Sequence, residues 1–302
     1  MAVITDLPIE LIEHIILCLD PLDAARFAQT CSAYSALLYT PDDQHMWREL
    51  YLLQPFDDLR ECRTSLGRPL PTIDWKLQLQ RILRARTILT DLTLCKPYER
   101  CTLLRTLLDM ICNCRPSTDP DSLEPSRNHA WVTVMLRSSA LLDGTAWEPA
   151  LGSDSDEAQL LARLHTYFGL SPRDFHPGEL TRSRAFVYAM RNYKFDNDFG
   201  PYLMDGSGRV NWVHLRALHH VVSMHIVPPT QEAAQAVFNI FPMSMPWTQS
   251  VLPKELDLQT DEDWADVNGR WQCSFCFCDH RELLGECLDC HYARPPCLLS
   301  VV

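Results

Sequence analysis

Four cysteines near the C-terminus have the spacing of a zinc site. They form two CxxC pairs, "CSFC" at 273–276 and "CLDC" at 287–290, separated by ten residues. Each pair can present two thiolates to one point, and a hairpin between the pairs would complete a tetrahedral Zn²⁺ site. The candidate ligands are Cys273, Cys276, Cys287 and Cys290.

The first of these pairs also fits a β-strand. In "RWQCSFCFCDHREL" the residues alternate, which places Trp271, Cys273, Phe275 and Phe277 on one face and Cys276 on the other. Cys273 and Cys276 cannot be zinc-knuckle ligands and strand residues at once. We therefore predict a strand here and no bound cofactor, with zinc as the alternative.

Other residue types that could do chemistry give weaker signals. "DNDFG" and "DGSG", between residues 196 and 208, lack the alternating oxygen ligands of a calcium loop and predict turns. His219, His220 and His225 fall on one predicted helix without sharing a site, so we interpret them as packing or surface residues. No nucleophile–base pair or phosphate loop is evident. The sequence therefore predicts a protein that is not an enzyme.

Composition excludes several classes of partner. The chain has 302 residues, with 27 Lys and Arg against 39 Asp and Glu, and its net charge of -12 opposes binding to nucleic acid or to an anionic membrane. No charge-free apolar run is long enough to span a bilayer. The thirteen cysteines are unevenly placed and do not resemble a secreted disulfide framework. We expect a soluble protein of the cytoplasm, the nucleus or both.

The elements that must position any site begin with "LPIELIEHIILCLDPLDAARFAQTC", residues 7–31. Apolar residues fill about half of the first helix, although a stripe that faces a core needs only about 100°. Asp20 and Pro21 predict the start of a second helix. "SAYSALLY" predicts a third, and "TPDDQHMWRELYLL" a fourth that Thr40 would cap. The surplus apolar surface is either a docking site or is covered by the rest of the chain.

These residues resemble an F-box. The resemblance rests on "LP" at 7–8, an acidic and aliphatic helix, "LD" at 22–23, Cys31, Tyr34 in place of the usual Trp, and "MWREL" at 46–50. It implies docking on a Skp-type adaptor of a cullin-RING ubiquitin ligase. The adaptor contacts that it implies, any of which could instead be F-box core, are Leu7, Pro8, Ile9, Ile12, Ile15, Leu19 and Leu22.

The remaining chain alternates linkers and periodic segments. A Gly- and Pro-containing linker is predicted at 60–72 and a loop at 115–127. Helical spacing of apolar residues predicts four helices, within 74–92, 98–112, 129–142 and 155–170, and another at 211–226. Aromatic and β-branched residues among polar ones predict strands at 183–190 and 192–199.

A second resemblance lies in this part of the chain. "LHTYFGLSPRDF", "RNYKFDNDFGPYLMDGSGRVNWVHL" and "FCFCDHRELL" resemble the C-terminal region of a group of fungal F-box proteins, a region without an established biochemical role. The tail after Leu284 departs from that pattern.

The sequence thus predicts a mainly α protein with an α+β part. An F-box at 1–55 precedes a substrate-recognition region at 56–302, which is helical over 72–170, mixed strand and helix over 175–285, and Cys-rich over 285–302. The predicted function is a substrate receptor that binds a Skp-type adaptor and cullin ligase and presents a protein target for ubiquitination. The alternative is a zinc-binding interaction module with a vestigial F-box.

Overall fold

A computed structural model describes residues 7–39, 44–64, 67–116, 126–143, 147 and 155–226. The chain divides into two compact units, of which the first holds the described residues up to Trp147 and the second those from Ser155 to Ile226. Within these ranges the structure contains α-helices, short 3-10 turns and isolated bridges, and no β-strand. None of the described helices is both long enough and apolar enough to cross a bilayer.

The described residues of the first unit form a bundle of seven helices. The helices are α1 (Ile9–Leu17), α2 (Pro21–Ala28), α3 (Ser32–Tyr39), α4 (His45–Leu52), α5 (Trp75–Thr90), α6 (Arg100–Cys112) and α7 (Arg127–Ser138). The predicted cap of α2 is confirmed, because the carboxylate of Asp20 accepts a hydrogen bond from the backbone N–H of Leu22 at 2.9 Å. Helix α4 begins at His45, later than predicted, and Thr40 lies outside the described residues.

Helices α1 to α4 do not form a compact unit of their own. Helix α4 packs against α5, where Tyr51 and Trp75 meet edge to face with ring centroids 5.3 Å apart. The Asp20 carboxylate pairs with both terminal nitrogens of Arg86 on α5, at 2.9 and 3.0 Å. Residue 55, the predicted domain boundary, therefore lies inside the first unit. The linker at 60–72 is packed there too, since Arg63 bridges to Pro69 and to Cys114.

A buried carboxylate fixes the start of α7 in this unit. Asp57 accepts hydrogen bonds from the backbone N–H groups of Arg115 and Arg127 and from the hydroxyl of Ser126. The backbone N–H of Asp57 in turn donates to Asn128 at 3.0 Å. These bonds satisfy orphan donors at the helix N-terminus and join α7 to the chain that follows α4.

The second unit is a three-helix assembly. Its helices are α8 (Asp156–Phe168), α9 (Pro177–Val187) and α10 (Trp212–Ile226). Helix α10 packs against both of the others. Ala158 and Ala162 of α8 meet Val213 at one end of α10, and Val187 of α9 meets the α10 residues Ala217 and Val221. Small side chains at these contacts allow the helices to approach closely.

The two strands predicted in this unit are wrong. Residues 183–187 belong to α9, and the chain then forms 3-10 turns at Met190–Asn192 and Phe195–Asn197. Val187 is buried against α10, so its apolar neighbours belong to a helix contact and not to a sheet. The α+β class predicted for 175–285 does not hold where the structure describes that range. The predicted C-terminal strand, the zinc alternative and the tail after Leu284 lie outside the described residues.

Candidate interaction surfaces

Helix α1 presents more apolar surface than the first unit covers. Ile12 and Ile16 are buried, and they form the stripe that faces the core. Ile9 remains 55% exposed and Leu11 50% exposed. Leu11 and Ile15 are four residues apart, so they lie one above the other beside the buried stripe. This exposed part of α1, with the preceding Leu7 and Pro8, is called the amino-terminal apolar surface below.

The seven predicted contact residues separate into three groups by burial. Leu7, Pro8 and Ile9 are exposed. Three others, Ile15, Leu19 and Leu22, are partly buried, and a partner can still reach them. Ile12, only 7% exposed, lies in the core, where it supports α1 and offers little surface to a partner.

The predicted contact residues do not include Leu11, although the structure leaves it exposed. The spacing of apolar residues places it on the wide apolar arc, but spacing alone does not separate residues that the fold covers from those that it leaves open. Its backbone N–H donates to Pro8 at 3.1 Å, so it lies in the first turn of α1. Its exposure in the structure is the observation that makes Leu11 a candidate contact residue.

The second unit carries a separate apolar surface on the connection between α9 and α10. Phe195 is 82% exposed, Met190 is 78% exposed, and Phe199 stacks edge to face on Phe195 with centroids 6.4 Å apart. Tyr202 and Met204 are also exposed. We call these five residues the aromatic platform. Contiguous exposed apolar patches mark interaction sites, and Phe195 and Phe199 are the members of the platform whose side chains are seen in contact.

Hydrogen bonds hold the chain beneath the aromatic platform in one conformation. The side chain of Asn197 is buried, donates to the carbonyl of Asn192 at 2.7 Å and accepts from the N–H of Lys194 at 2.8 Å. Asp198 and Phe199 then adopt positive φ values of 49° and 55°. A left-handed Phe is strained by about 1 to 3 kcal/mol, and such strain persists only where the surroundings enforce it. The backbone that carries Phe195 and Phe199 is therefore held in one conformation.

A buried polar network joins the three helices of the second unit. Asp174, in the 3-10 turn after α8, accepts from Nε2 of His165 at 2.8 Å, from the N–H of Ser171 at 2.8 Å and from Arg216 at 3.3 Å. Burial alone would raise the pKa of Asp174, but His165, Arg216 and His220 hold it well below its usual range. Burial lowers the pKa of His165 and lowers that of His219 to about 4.

Ser183 and His220 belong to the same network, and their geometry does not form a catalytic relay. The Ser183 hydroxyl lies 2.8 Å from Nδ1 of His220, while Nε2 of His220 lies 2.8 Å from the backbone carbonyl of Asp174. A backbone carbonyl can only accept, so Nε2 donates to it, and in the neutral tautomer Nδ1 accepts a hydrogen bond from the Ser183 hydroxyl. In a serine triad a carboxylate orients the imidazole, and here the Asp174 carboxylate is held by His165 and Arg216 instead. The interpretation of His220 as a packing residue is consistent with this arrangement.

Comparison with known families identifies the amino-terminal helices. Residues 4–42 match the family model of the F-box domain. No curated protein and no solved structure matches the chain. The match includes α1 to α3 and ends before α4. The family model therefore does not cover the "MWREL" segment of α4 or any residue after it, and what is said of those residues comes from this structure. An F-box domain is a module that binds a Skp-type adaptor, and F-box proteins are in general non-catalytic subunits of ubiquitin ligases.

Proposed function

We propose that this chain is a substrate receptor of a cullin-RING ubiquitin ligase, which binds a Skp-type adaptor through α1 and α2 and holds a protein target through its second unit. It acts in the cytoplasm, the nucleus or both, and has no chemistry of its own. The exposed amino-terminal apolar surface carries the proposal, because Ile9 and Leu11 are large apolar side chains that the first unit leaves open.

The mechanism is proximity. The F-box anchors the chain to the ligase, and a target bound elsewhere on the chain then reaches the transferred ubiquitin at a high effective concentration. The aromatic platform supports a target-binding role for the second unit. Its side chains are apolar and exposed, and hydrogen bonds fix the backbone that carries Phe195 and Phe199, so less backbone entropy is lost when a partner covers them. The proposal also includes that this part of the chain is related to the C-terminal region of fungal F-box proteins.

The adaptor contact is tested with single aspartates on exposed positions. Ile9→Asp and Leu11→Asp each place a charge on the amino-terminal apolar surface without disturbing buried residues, and each should weaken adaptor binding at least about tenfold. Val134→Asp on α7 is the matched control, since Val134 is 64% exposed and lies outside the F-box. Affinity is measured by titration calorimetry with the purified adaptor of the source organism. Binding that is equal in all four proteins would disprove the proposal.

The target contact is tested on the aromatic platform. Phe195→Ser removes its most exposed ring, and Val222→Ser on α10 is the control at another exposed apolar position. Proximity labelling with each variant in proteasome-inhibited cells should identify proteins whose labelling and ubiquitination fall with Phe195→Ser and persist with Val222→Ser. Adaptor affinity should not change. If no protein shows this difference, the platform does not hold the target.

A further inference from the structure

A groove runs between the F-box helices and α5 within the first unit. Its F-box wall includes Leu22, Ala25 and Tyr39, and its α5 wall includes Gln80 and Thr87, with a volume of about 240 Å³. Pockets for small molecules are usually about 300 Å³ or larger. The groove therefore fits one or two protein side chains better than a cofactor.

Three of the polar groups that border the groove are already paired. The indole N–H of Trp47 donates to the carbonyl of Leu38 at 2.7 Å. Arg84 pairs with Glu99 at 2.8 Å, and the Thr87 hydroxyl donates to the carbonyl of Leu83 at 3.0 Å. A charged occupant would find no partner among these three groups and would lose its hydration, and the rest of the lining is mostly apolar, with Gln80 exposed. The groove therefore fits an apolar side chain best.

The two walls of the groove are fixed relative to each other. The paired Asp20 and Arg86 join the start of α2 to α5. At the other end, the side-chain carbonyl of Gln44 accepts a hydrogen bond from the N–H of Lys76 at 3.2 Å, and the ammonium of Lys76 lies 5.0 Å from the centroid of the Tyr39 ring. The groove is thus preformed, which reduces the entropy that binding costs.

Leu22 connects the groove to the adaptor-binding surface, because it lines the groove and is also one of the predicted adaptor contacts. From this continuity we infer that the Skp-type adaptor places an apolar side chain in the groove, so that α5, which lies beyond the F-box, forms part of the adaptor interface. This inference rests on the proposed function. It adds to that function a contact surface on a helix outside residues 4–42.

The experiment fills the groove from the α5 side. Gln80→Trp and Thr87→Trp place a large side chain in it, and each should weaken adaptor binding about tenfold. Arg81→Trp is the matched control, since Arg81 is the exposed neighbour of Gln80 and points about 100° away around the helix. Calorimetry uses the full chain and the purified adaptor. Circular dichroism melting of each variant shows that the bundle is intact.

Each outcome decides the inference. Weaker binding by both groove variants, with wild-type affinity for Arg81→Trp, supports it. If the groove variants bind like wild type while Ile9→Asp loses binding, the inference fails and the proposed function stands. The same holds if filling the groove lowers only the melting temperature of the isolated chain and leaves adaptor affinity unchanged. If the wild-type chain does not bind the adaptor, both fail.

Discussion

Replacing Asp174 with asparagine tests whether its buried carboxylate holds the second unit together. Asn has the same shape, but it is neutral and can present only one oxygen. If that oxygen keeps the position of Oδ2, it still accepts from His165 and Ser171, and the new amide then faces Arg216. The substitution therefore weakens two bonds and breaks a third without making a cavity.

The expected loss follows from these three contacts. A hydrogen bond to a charged group contributes about 1.5 to 3 kcal/mol and a neutral one about 0.5 to 1.5, so the bonds to His165 and Ser171 lose about 1 kcal/mol each. Arg216 is 33% exposed, and water screens its ion pair, so we assign that contact about 0.5 kcal/mol. The sum is about 2.5 kcal/mol, a large fraction of the stability of a small helical unit.

Hydrogen exchange with mass spectrometry measures the effect locally. Amides of α8 and α10 should exchange roughly 50-fold faster in Asp174→Asn if they exchange through opening of the unit, because 1.4 kcal/mol corresponds to a factor of ten. Asp205→Asn is the control, since Asp205 pairs with Arg209 at 2.7 Å on the surface. It should leave the exchange of both helices unchanged. Equal exchange in the two variants would refute the role assigned to the network.

Three further predictions concern stability. Tyr34→Phe should stabilise the first unit by about 1 kcal/mol in urea unfolding, because the Tyr34 hydroxyl is buried without a hydrogen-bond partner. The substitution keeps the ring, whose centroid lies 4.6 Å from that of Phe27. A loss of stability would show that the hydroxyl is satisfied. The folded pKa values of His165 and His219 lie below the unfolded value of about 6.5, so the unfolded chain takes up protons first as the pH falls. The second unit should therefore lose stability between about pH 6.5 and pH 4. Hydrogen exchange at about pH 7 and pH 5 measures this loss, and equal protection of the α8 and α10 amides at both pH values would contradict it. A fragment of residues 1–55 lacks α5 and should melt without a cooperative transition in calorimetry, whereas a sharp transition would show that the F-box folds alone.

The helices that sequence predicted correctly carry strong local signals. Helix α5 follows the cap at Asp74, and α8 follows the cap at Ser155, whose hydroxyl accepts from the N–H of Ala158. In both, apolar residues recur at helical spacing, and each is long enough for the period to be read. The apolar arc on α1 was also wider than one core contact requires, but spacing alone left open whether the surplus was a docking site or was covered by the rest of the chain.

The errors occurred where tertiary contacts decide the conformation. In "RAFVYAM" three apolar residues adjoin, which is typical of a strand, but Val187 packs on α10 and Pro177 sets the start of a helix. After α9, the side chains of Asn192 and Asn197 bond to backbone groups that a strand would use for its ladder. The contact of Tyr51 with Trp75 could not be predicted either, because the sequence does not show which apolar face of one helix meets which face of another.

The packing of α4 on α5 places the amino-terminal helices and the helices after them in one compact unit, which we expect to unfold cooperatively. A ligand that binds only the folded form raises the unfolding free energy of everything that unfolds with its site, by about 2.7 kcal/mol when its concentration is 100 times its Kd. The adaptor would therefore protect α5, α6 and α7 as well as the helices that it touches. If the proposed function holds, the fraction of this chain exposed to proteases in a cell would depend on adaptor supply, and the chain would be short-lived without its adaptor.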